Sequence, residues 1–210
     1  IYSASAILAE QSLGNPLYFF KRQLAWAAVG LAAMAAFTRM NYNRFREWVG
    51  PVFLVTCVAL IAALLSPSIA GVHRWIRLGP IGVQPAEFAK LTSVLFLAFY
   101  LDSRRSKLGS PFLGLVKPIG VVFVLLALIL IEPDLGTPAL MFVVMLLLIF
   151  VGGGKAHYVL GSLLAAAPFF LYQILTVPYR RARLLSFLSP FEDMRGTGYQ
   201  LAQSILAVGS

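Results

Sequence analysis

Long apolar runs are the feature that most constrains how this chain can fold. A helix needs about 20 predominantly apolar residues to cross the hydrocarbon core of a bilayer. Several stretches of the 210-residue sequence approach or reach that length, and short polar connections separate them. We find no alternation of apolar and polar residues of the kind that strands of a membrane barrel need. The sequence therefore predicts a bundle of membrane-spanning helices.

Composition excludes other classes of protein. Hydrophobic residues make up 60% of the chain and charged residues 12%, against about 45–50% and about 25% in a soluble domain. A water-soluble domain and a disordered chain are both excluded. The net charge of +9 fits anionic lipids better than nucleic acid in so apolar a chain. Cys57, His73 and His157 are too few for a disulfide or a dedicated cysteine or histidine metal site.

We predict an all-α, polytopic helical membrane protein with about seven spans in this sequence. Residues 178–200 are predicted to form one large extracellular loop, followed by a short helix at 200–208. The sequence starts at Ile1 inside an incomplete span, so we expect residues 1–210 to be a partial integral-membrane domain of a longer protein. The predicted spans are 1–9 (partial), 23–38, 49–65, 85–101, 113–131, 138–151 and 159–177.

Lysines and arginines orient such a bundle, because cytoplasmic loops carry an excess of them. They divide equally between the two sets of loops, but half of those in one set lie within residues 180–195. If function holds that group in place, the excess lies on the other set. This predicts that loops 39–48, 102–117 and 152–157 are cytoplasmic, and that loops 66–84, 132–137 and 178–200 are outside.

Charged residues interrupt the apolar pattern first around residues 73–90. Glu87 and Lys90 are three residues apart, so on a helix they share a face and can pair. A charge at membrane depth is costly and usually faces a cavity with a function. The alternative is a structural ion pair near a helix end. Trp75, taken alone, is more typical of an aromatic residue at the membrane interface.

Two acids lie in the short connection 132–137. Asp134 is placed to cap the helix that begins near Pro138, because aspartate is a preferred cap and proline fits the first turn. A cation site, or a hydrogen-bond partner for a cationic loop, is the alternative interpretation for Glu132 and Asp134.

The segment 178–204 contains the densest group of polar residues. Arginines such as Arg180 and Arg183 bind phosphates as rigid forks, and a nearby carboxylate such as Asp193 can act as a base. The alternative is a positively charged loop that lies on lipid headgroups. The same segment also contains Gln200, Gln203 and Ser204.

These polar stretches resemble the SEDS family (shape, elongation, division and sporulation), which includes FtsW and RodA. The sequence Lys21-Arg22-Gln23 at the start of a span and the sequence Glu132-Pro133-Asp134 are more similar to the division branch, FtsW. Ala86, Pro138 and Met194 depart from the usual pattern without removing a charged group. Because the family has about ten spans, the resemblance implies that both termini are truncated. The matching stretches are 2–5, 73–76, 84–90, 132–137 and 178–204.

The resemblance implies a peptidoglycan glycosyltransferase that polymerises lipid II, with Asp193 as the catalytic base. Arg180 and Arg183 would hold the diphosphate, and Trp75 would face a sugar ring. The remaining residues implied to bind substrate are Glu87, Lys90, Gln200, Gln203 and Ser204. A lipid II flippase remains the alternative from the residues, and a scaffold without chemistry is a third class.

The resemblance also implies the setting in which the chain works. The expected partners are lipid II, a class B penicillin-binding protein and other membrane proteins of the divisome or elongasome, without nucleic acid. No cofactor is certain, although a divalent cation, Mg²⁺ or Mn²⁺, could bridge a diphosphate and a carboxylate. The expected location is the bacterial inner membrane, with the site on its extracytoplasmic side.

Overall fold

The computed structural model describes residues 9–10, 13–67, 73–79, 81–132, 134–188, 191, 196 and 198–209. The chain divides into two compact units, Ile1–Glu47 and Trp48–Ser210. In the described part, regular structure is helical apart from one two-stranded antiparallel hairpin. The prediction of an all-α helical architecture is confirmed.

The first unit contains one long helix, α1, over Tyr18–Thr38, and none of its residues is buried. After it, the Asn41 side chain accepts a hydrogen bond from the Asn43 amide (3.0 Å) and starts a 3-10 turn. The helix α2 then begins at Phe45, whose ring lies 5.9 Å from that of Phe37. Most of α2 belongs to the second unit.

The second unit is a sequence of helices with the hairpin inserted between α2 and α3. Proline occurs in the first turn of α3, where its missing N–H leaves no hydrogen bond unmade. A π-helical turn, Phe112–Val116, precedes α4. The elements are α2 (Phe45–Leu65), β1 (Ile76–Leu78), β2 (Ile81–Val83), α3 (Pro85–Ser103), α4 (Lys117–Ile131), α5 (Gly136–Val151), α6 (Ala156–Thr176), α7 (Pro178–Leu188) and α8 (Tyr199–Gly209).

The core of the second unit lies among α3, α4 and α5. Leu97, Leu125, Ile129, Met145 and Ile149 are each at most 1% exposed and belong to one hydrophobic cluster. By contrast, α6 is apolar and has no buried residue. A helix that is apolar all round without being buried in protein is typical of a membrane span.

The contacts between helices give their relative directions. Thr56 and Thr92 share a buried hydroxyl–hydroxyl hydrogen bond of 2.9 Å, and the rings of Phe53 and Phe96 lie 5.8 Å apart. Later residues of α2 therefore contact earlier residues of α3, so the two helices run antiparallel.

Helices α3 and α5 are parallel. The first halves of both helices line one cavity, through Glu87 and Lys90 on α3 and Leu140 and Val144 on α5. At their other ends, Leu101 packs so closely on Gly152 that a Cβ there would lie 3.0 Å from the leucine Cδ1. The N-termini of α3 and α5 therefore lie at the same end of the bundle.

We call that end the hairpin end, because it contains β1–β2, the start of α3 and the turn before α5. Arg74 Nε donates to the main-chain oxygen of Glu132 there, at 2.9 Å. At the opposite end, the connections after α3 and α5 approach each other at Gly109 and Lys155. Within the second unit, loops 66–84 and 132–137 thus share one end, and loops 102–117 and 152–157 share the other.

Three helical stretches of the described residues are long and apolar enough to cross a membrane: Tyr42–Leu65, Phe112–Ile131 and Ala156–Thr176. Gly136–Val151 is a shorter apolar helix. Helices α1 and α3 have 21 and 19 residues but contain charged residues near their starts. Most of the partial span predicted at 1–9 lies outside the described residues.

Within the segment predicted as one large extracellular loop, 178–200, residues Pro178–Leu188 form the helix α7, which the sequence analysis did not predict. Pro178 fits the first turn, and no further proline or glycine follows before the helix ends. Arginine, alanine and leucine favour helix. The many arginines in this segment favoured the interpretation as a loop, although most of its residues are compatible with a helix.

The loops predicted to be outside, 66–84 and 132–137, lie together at the hairpin end. We therefore predict that the hairpin end faces the outside of the membrane. Single cysteines at positions 77 and 193, in a background with Cys57→Ser, should react with an impermeant thiol reagent applied to the outer face. A cysteine at position 105 should be protected until the membrane is made permeable. Labelling of position 105 together with protection of position 193 would reverse the orientation.

Candidate functional site

The hairpin presents Trp75 at the edge of the polar region. Its strands pair Ile76 with Val83 and Arg77 with Gly82, and Gly79 takes the turn with φ +64°. A Cβ on Gly82 would lie only 3.2 Å from Trp75 Cε3. The indole therefore rests against the bare backbone of Gly82 and remains 39% exposed, so one part of the ring is open to a ligand.

The end of α2 fixes the chain that leads into this hairpin. Ser66 Oγ donates to the main-chain oxygens of Ala63 (2.7 Å) and Trp75 (3.2 Å). His73 Nδ1 lies 2.5 Å from the main-chain oxygen of Ser66, and since a carbonyl only accepts, Nδ1 is the protonated nitrogen. The position of Trp75 thus depends on polar contacts made nine residues earlier in the chain.

Glu87 and Lys90 pair on α3, as their spacing allows. Lys90 Nζ donates to Glu87 Oε1 at 2.8 Å. The Glu87 side chain is 58% exposed and that of Lys90 33%. Because the pair is not buried, it contributes little to stability, about 0–1 kcal/mol, and both charges remain accessible.

A cavity of about 340 Å³ adjoins this pair. The charged pair and Ser93 provide its polar lining, and Ser93 Oγ itself donates to the main-chain oxygen of Lys90 (2.8 Å). The rest of its lining is apolar: Leu91 and Val94 from α3, and Leu140, Met141 and Val144 from α5. Such a cavity suits a molecule with one charged part and one apolar part.

Asp134 caps the start of α5. Its side chain accepts from the amide of Thr137 (3.3 Å) and from the Thr137 hydroxyl (2.9 Å). Pro138 is buried in the first turn behind it. The capping interpretation of Asp134 therefore fits the contacts, and the carboxylate is oriented along the helix N-terminus.

Glu132 has a different environment from Asp134 although the two are close in sequence. Its side chain is 0% exposed, and neither carboxylate oxygen has a hydrogen-bond partner within the part of the chain that the structure describes. Burial raises the pKa of Glu132 from 4.5 to about 7, with Arg74 opposing this shift and Asp134 adding to it. Glu132 is thus a carboxyl group that exchanges its proton near neutral pH.

The arginines of α7 lie beyond the end of α6. Arg180 donates from Nη1 to the main-chain and side-chain oxygens of Gln173, each at 3.2 Å. This joins α7 to the last turns of α6 and leaves Arg180 half-buried. Arg183 is exposed and lies three residues further along the helix, so the two guanidinium groups share a side of α7.

The other predicted residues are distributed as follows. Gln203 and Ser204 are exposed on α8, where Ser204 Oγ donates to the main-chain oxygen of Leu201 (2.8 Å). Gln200 belongs to the same helix by its backbone. Asp193 lies outside the described residues. Among the described ones, no three His, Cys, Asp or Glu side chains are grouped closely enough to hold a metal ion.

The structure therefore brings only part of the predicted site together. Glu87 and Lys90 line the cavity, whereas Trp75, Arg180 and Arg183 are not among its lining residues. Sequence reasoning missed the apolar half of the cavity and Ser93. These lining residues recur every three to four positions within α3 and within α5, which the sequence shows. The sequence does not show that the two helices face each other.

These features define a class of protein. The chain is a multi-pass, predominantly helical membrane protein with a charged pair and an apolar cavity near the start of two parallel helices. Comparison with known proteins assigns it to a family. The profile of the FtsW/RodA/SpoVE family, described as cell cycle protein, matches residues 1–210.

Curated relatives agree over the whole chain. The chain is 35% identical to the probable peptidoglycan glycosyltransferase FtsW of Geobacter metallireducens, covering 100% of this chain and 57% of the relative. It is 36% identical to stage V sporulation protein E of Bacillus subtilis, covering 100% and 58%. The chain therefore spans little more than half the length of these relatives.

Solved structures give the same fold. A peptidoglycan synthase complex, described as coordinating polymerization and crosslinking, contains a chain with a TM-score of 0.67 and 27% identity, covering 100% of this chain and 62% of that one. The rod shape determining protein RodA of Thermus thermophilus has a TM-score of 0.59 at 24% identity, with 80% and 55% covered. The chain belongs to the FtsW/RodA/SpoVE family, and the resemblance seen in its polar motifs is confirmed.

Glu132 makes stability depend on pH. Between the unfolded pKa of 4.5 and the folded value of about 7, the folded chain keeps a proton that the unfolded chain releases. The free energy of unfolding therefore falls as pH rises through this range and levels off above it. Each pKa unit corresponds to about 1.4 kcal/mol, and each kcal/mol to roughly 2–4 °C in Tm, so we expect a decrease of several degrees.

Glu132→Gln should remove this part of the pH dependence, because an amide does not titrate. Thermal unfolding in detergent across the same pH range is the measurement. Glu47→Gln, the same change at an exposed position, should leave the slope as in the wild type. An equal slope in Glu132→Gln and in the wild type would contradict the assignment.

Proposed function

We propose that the protein containing this chain is a peptidoglycan glycosyltransferase, which polymerises lipid II into glycan strands during bacterial cell division or elongation. Family membership and the names of the relatives support this function. The structural observation that carries it is the cavity between α3 and α5, with a charged pair beside apolar walls.

The cavity matches the two halves of a lipid-linked substrate. Lipid II consists of a polyprenyl chain, a diphosphate and a disaccharide with its peptide. Leu140 and Val144 line the apolar side of the cavity, which suits the polyprenyl chain. Lys90 is one-third exposed and is available to a diphosphate, while Glu87 neutralises it until an anion binds.

The reaction joins two such molecules. A sugar hydroxyl of one attacks the anomeric carbon of the other, and the bond from that carbon to the diphosphate oxygen breaks. The base takes the hydroxyl proton, and the bonding electrons leave with the diphosphate. We assign Asp193 as the base, a role that contributes about 10²–10⁴-fold to such reactions.

Cations stabilise the departing diphosphate. Arg180 and Arg183 on α7 are our candidates, and the contacts of Arg180 with Gln173 would hold its guanidinium in place. A bridging Mg²⁺ or Mn²⁺ would serve the same purpose. Trp75 offers its exposed ring to a sugar, and Gln200, Gln203 and Ser204 are candidates for hydrogen bonds to sugar or peptide.

The proposed setting follows from the topology. We place the hairpin end on the extracytoplasmic side, where glycan strands are made. A class B penicillin-binding protein is the proposed partner, since polymerisation and crosslinking are coupled in the related synthase complex. Other membrane proteins of the divisome or elongasome complete the assembly.

A flippase is not favoured. It would need a polar path along the bundle, but the buried polar or charged side chains in the described part are only Thr56, Thr92, Ser93 and Glu132. The two threonines bond to each other. The accessible pair Glu87–Lys90 lies at one end, and the relatives are named as glycosyltransferases.

Asp193→Asn tests the catalytic base. It keeps the size of the side chain but cannot accept the proton, so strand synthesis from purified lipid II should fall by at least about 100-fold. The full-length parent with its penicillin-binding partner should be used, and folding and partner binding should persist. Asp102→Asn, at the opposite end of the bundle, is the matched control and should retain activity. Near-normal synthesis by Asp193→Asn would remove it as the base and point to Glu87.

Lys90→Met tests substrate binding in the cavity. Methionine keeps an apolar stem without the charge. Because the pair is accessible, Tm should change by no more than a few degrees, whereas strand synthesis should fall by about tenfold or more for a lost charge-assisted bond. Lys107→Met, at the opposite end, is the matched control. Parallel losses of stability and activity in Lys90→Met would instead indicate a structural ion pair.

A further inference from the structure

The buried carboxyl group of Glu132 has no role in the reaction proposed above. It lies directly after α4, at the hairpin end, with a fully buried side chain and both oxygens unpartnered among the described residues. An ionised carboxylate in such a place is costly unless it is paired. The arrangement in the structure is therefore that of an uncharged Glu132.

Glu132 nevertheless makes one long-range contact through its backbone. Arg74 Nε donates to the main-chain oxygen of Glu132 at 2.9 Å, and this bond joins residues 58 positions apart. Arg74 directly precedes Trp75, whose own main-chain oxygen accepts from Ser66. The same short segment thus connects the turn before α5 to the exposed indole.

Few other charges act on Glu132. Arg74 and Asp134 do so, and Asp134 is engaged with Thr137. The adjoining parts of α2, α4 and α5, residues 57–66, 118–131 and 136–151, contain no charged residue. At the same end, α3 contributes the pair Glu87–Lys90, and the hairpin segment contains His73 and Arg77.

We propose that Glu132 is a positioning residue for Trp75. While its side chain is uncharged, Arg74 stays on the main-chain oxygen and Trp75 keeps the position described here. When Glu132 loses its proton, the buried carboxylate attracts the Arg74 guanidinium toward itself, and the Arg74–Trp75 segment shifts.

The direction of this shift follows from the charge on Glu132. A hydrogen bond to an ionised carboxylate is stronger than one to a neutral group, and pairing also removes the cost of an isolated buried charge. The ionised carboxylate therefore attracts the guanidinium more strongly than the protonated side chain does. Because burial places the pKa of Glu132 at about 7, the shift would occur near neutral pH.

Fluorine NMR of the full-length parent in lipid nanodiscs tests the proposal. The protein is labelled with 5-fluorotryptophan, and Trp75→Phe assigns the resonance of position 75. In the wild type this resonance should shift with a midpoint near pH 7. In Glu132→Gln it should remain at the low-pH position throughout, because the amide cannot ionise.

Two further variants keep the test decisive. Glu132→Met is uncharged and apolar, and it should also abolish the titration if Glu132→Gln fails to fold. Glu47→Gln, at an exposed position, should titrate as the wild type does. A wild-type resonance that does not move between about pH 6 and 8, or an unchanged titration in both Glu132 variants, would overturn the proposal.

The inference rests on the proposed function only for the meaning of Trp75 as a sugar contact. The NMR titration needs no turnover, so its failure leaves the glycosyltransferase standing. If the synthesis assays failed to show that function, the pH-dependent shift of the Trp75 resonance would still be expected. Where both hold, strand synthesis should decline above neutral pH in the wild type, and Glu132→Gln should extend it to higher pH.

Discussion

The parallel packing of α3 against α5 is the constraint on which the rest of the structure depends. It places two helix starts side by side, with α4 returning between them. The charged pair of α3, the cap of α5 and the turn that carries Glu132 are therefore all at one end. Ala86 and Ala89 on α3 are fully buried, and small residues let helices approach closely in a bilayer. The cavity forms where the two helices present larger side chains.

The two acids of the turn before α5 show how position decides the chemistry of one residue type. Asp134 accepts hydrogen bonds from the amide and the hydroxyl of Thr137. Glu132, two residues earlier, is covered completely and has its oxygens unpartnered in the described part. Asp134 stabilises the start of a helix, while burial raises the pKa of Glu132. This contrast depends on the fold around the turn, because the two side chains have similar acidity in water.

Much of the architecture could be predicted from the sequence because apolar runs and i, i+3 spacing are local signals. The helical spans and the Glu87–Lys90 pair follow from them. What could not be predicted depends on contacts between distant segments. The bond from Arg74 to the Glu132 backbone joins residues 58 positions apart, and the apolar half of the cavity requires that Leu140 face α3. The helix Pro178–Leu188 was missed for another reason, since its arginines resemble those of a loop while its backbone preferences favour helix.

Trp75, just before β1, and Gly82, within β2, are seven residues apart and in close contact. Any side chain at position 82 would enter the space of the indole, because a Cβ would already lie 3.2 Å from it. A residue larger than glycine at position 82 therefore requires the indole of Trp75 to give way by a few tenths of an ångström. The indole keeps the place described here because position 82 carries no side chain.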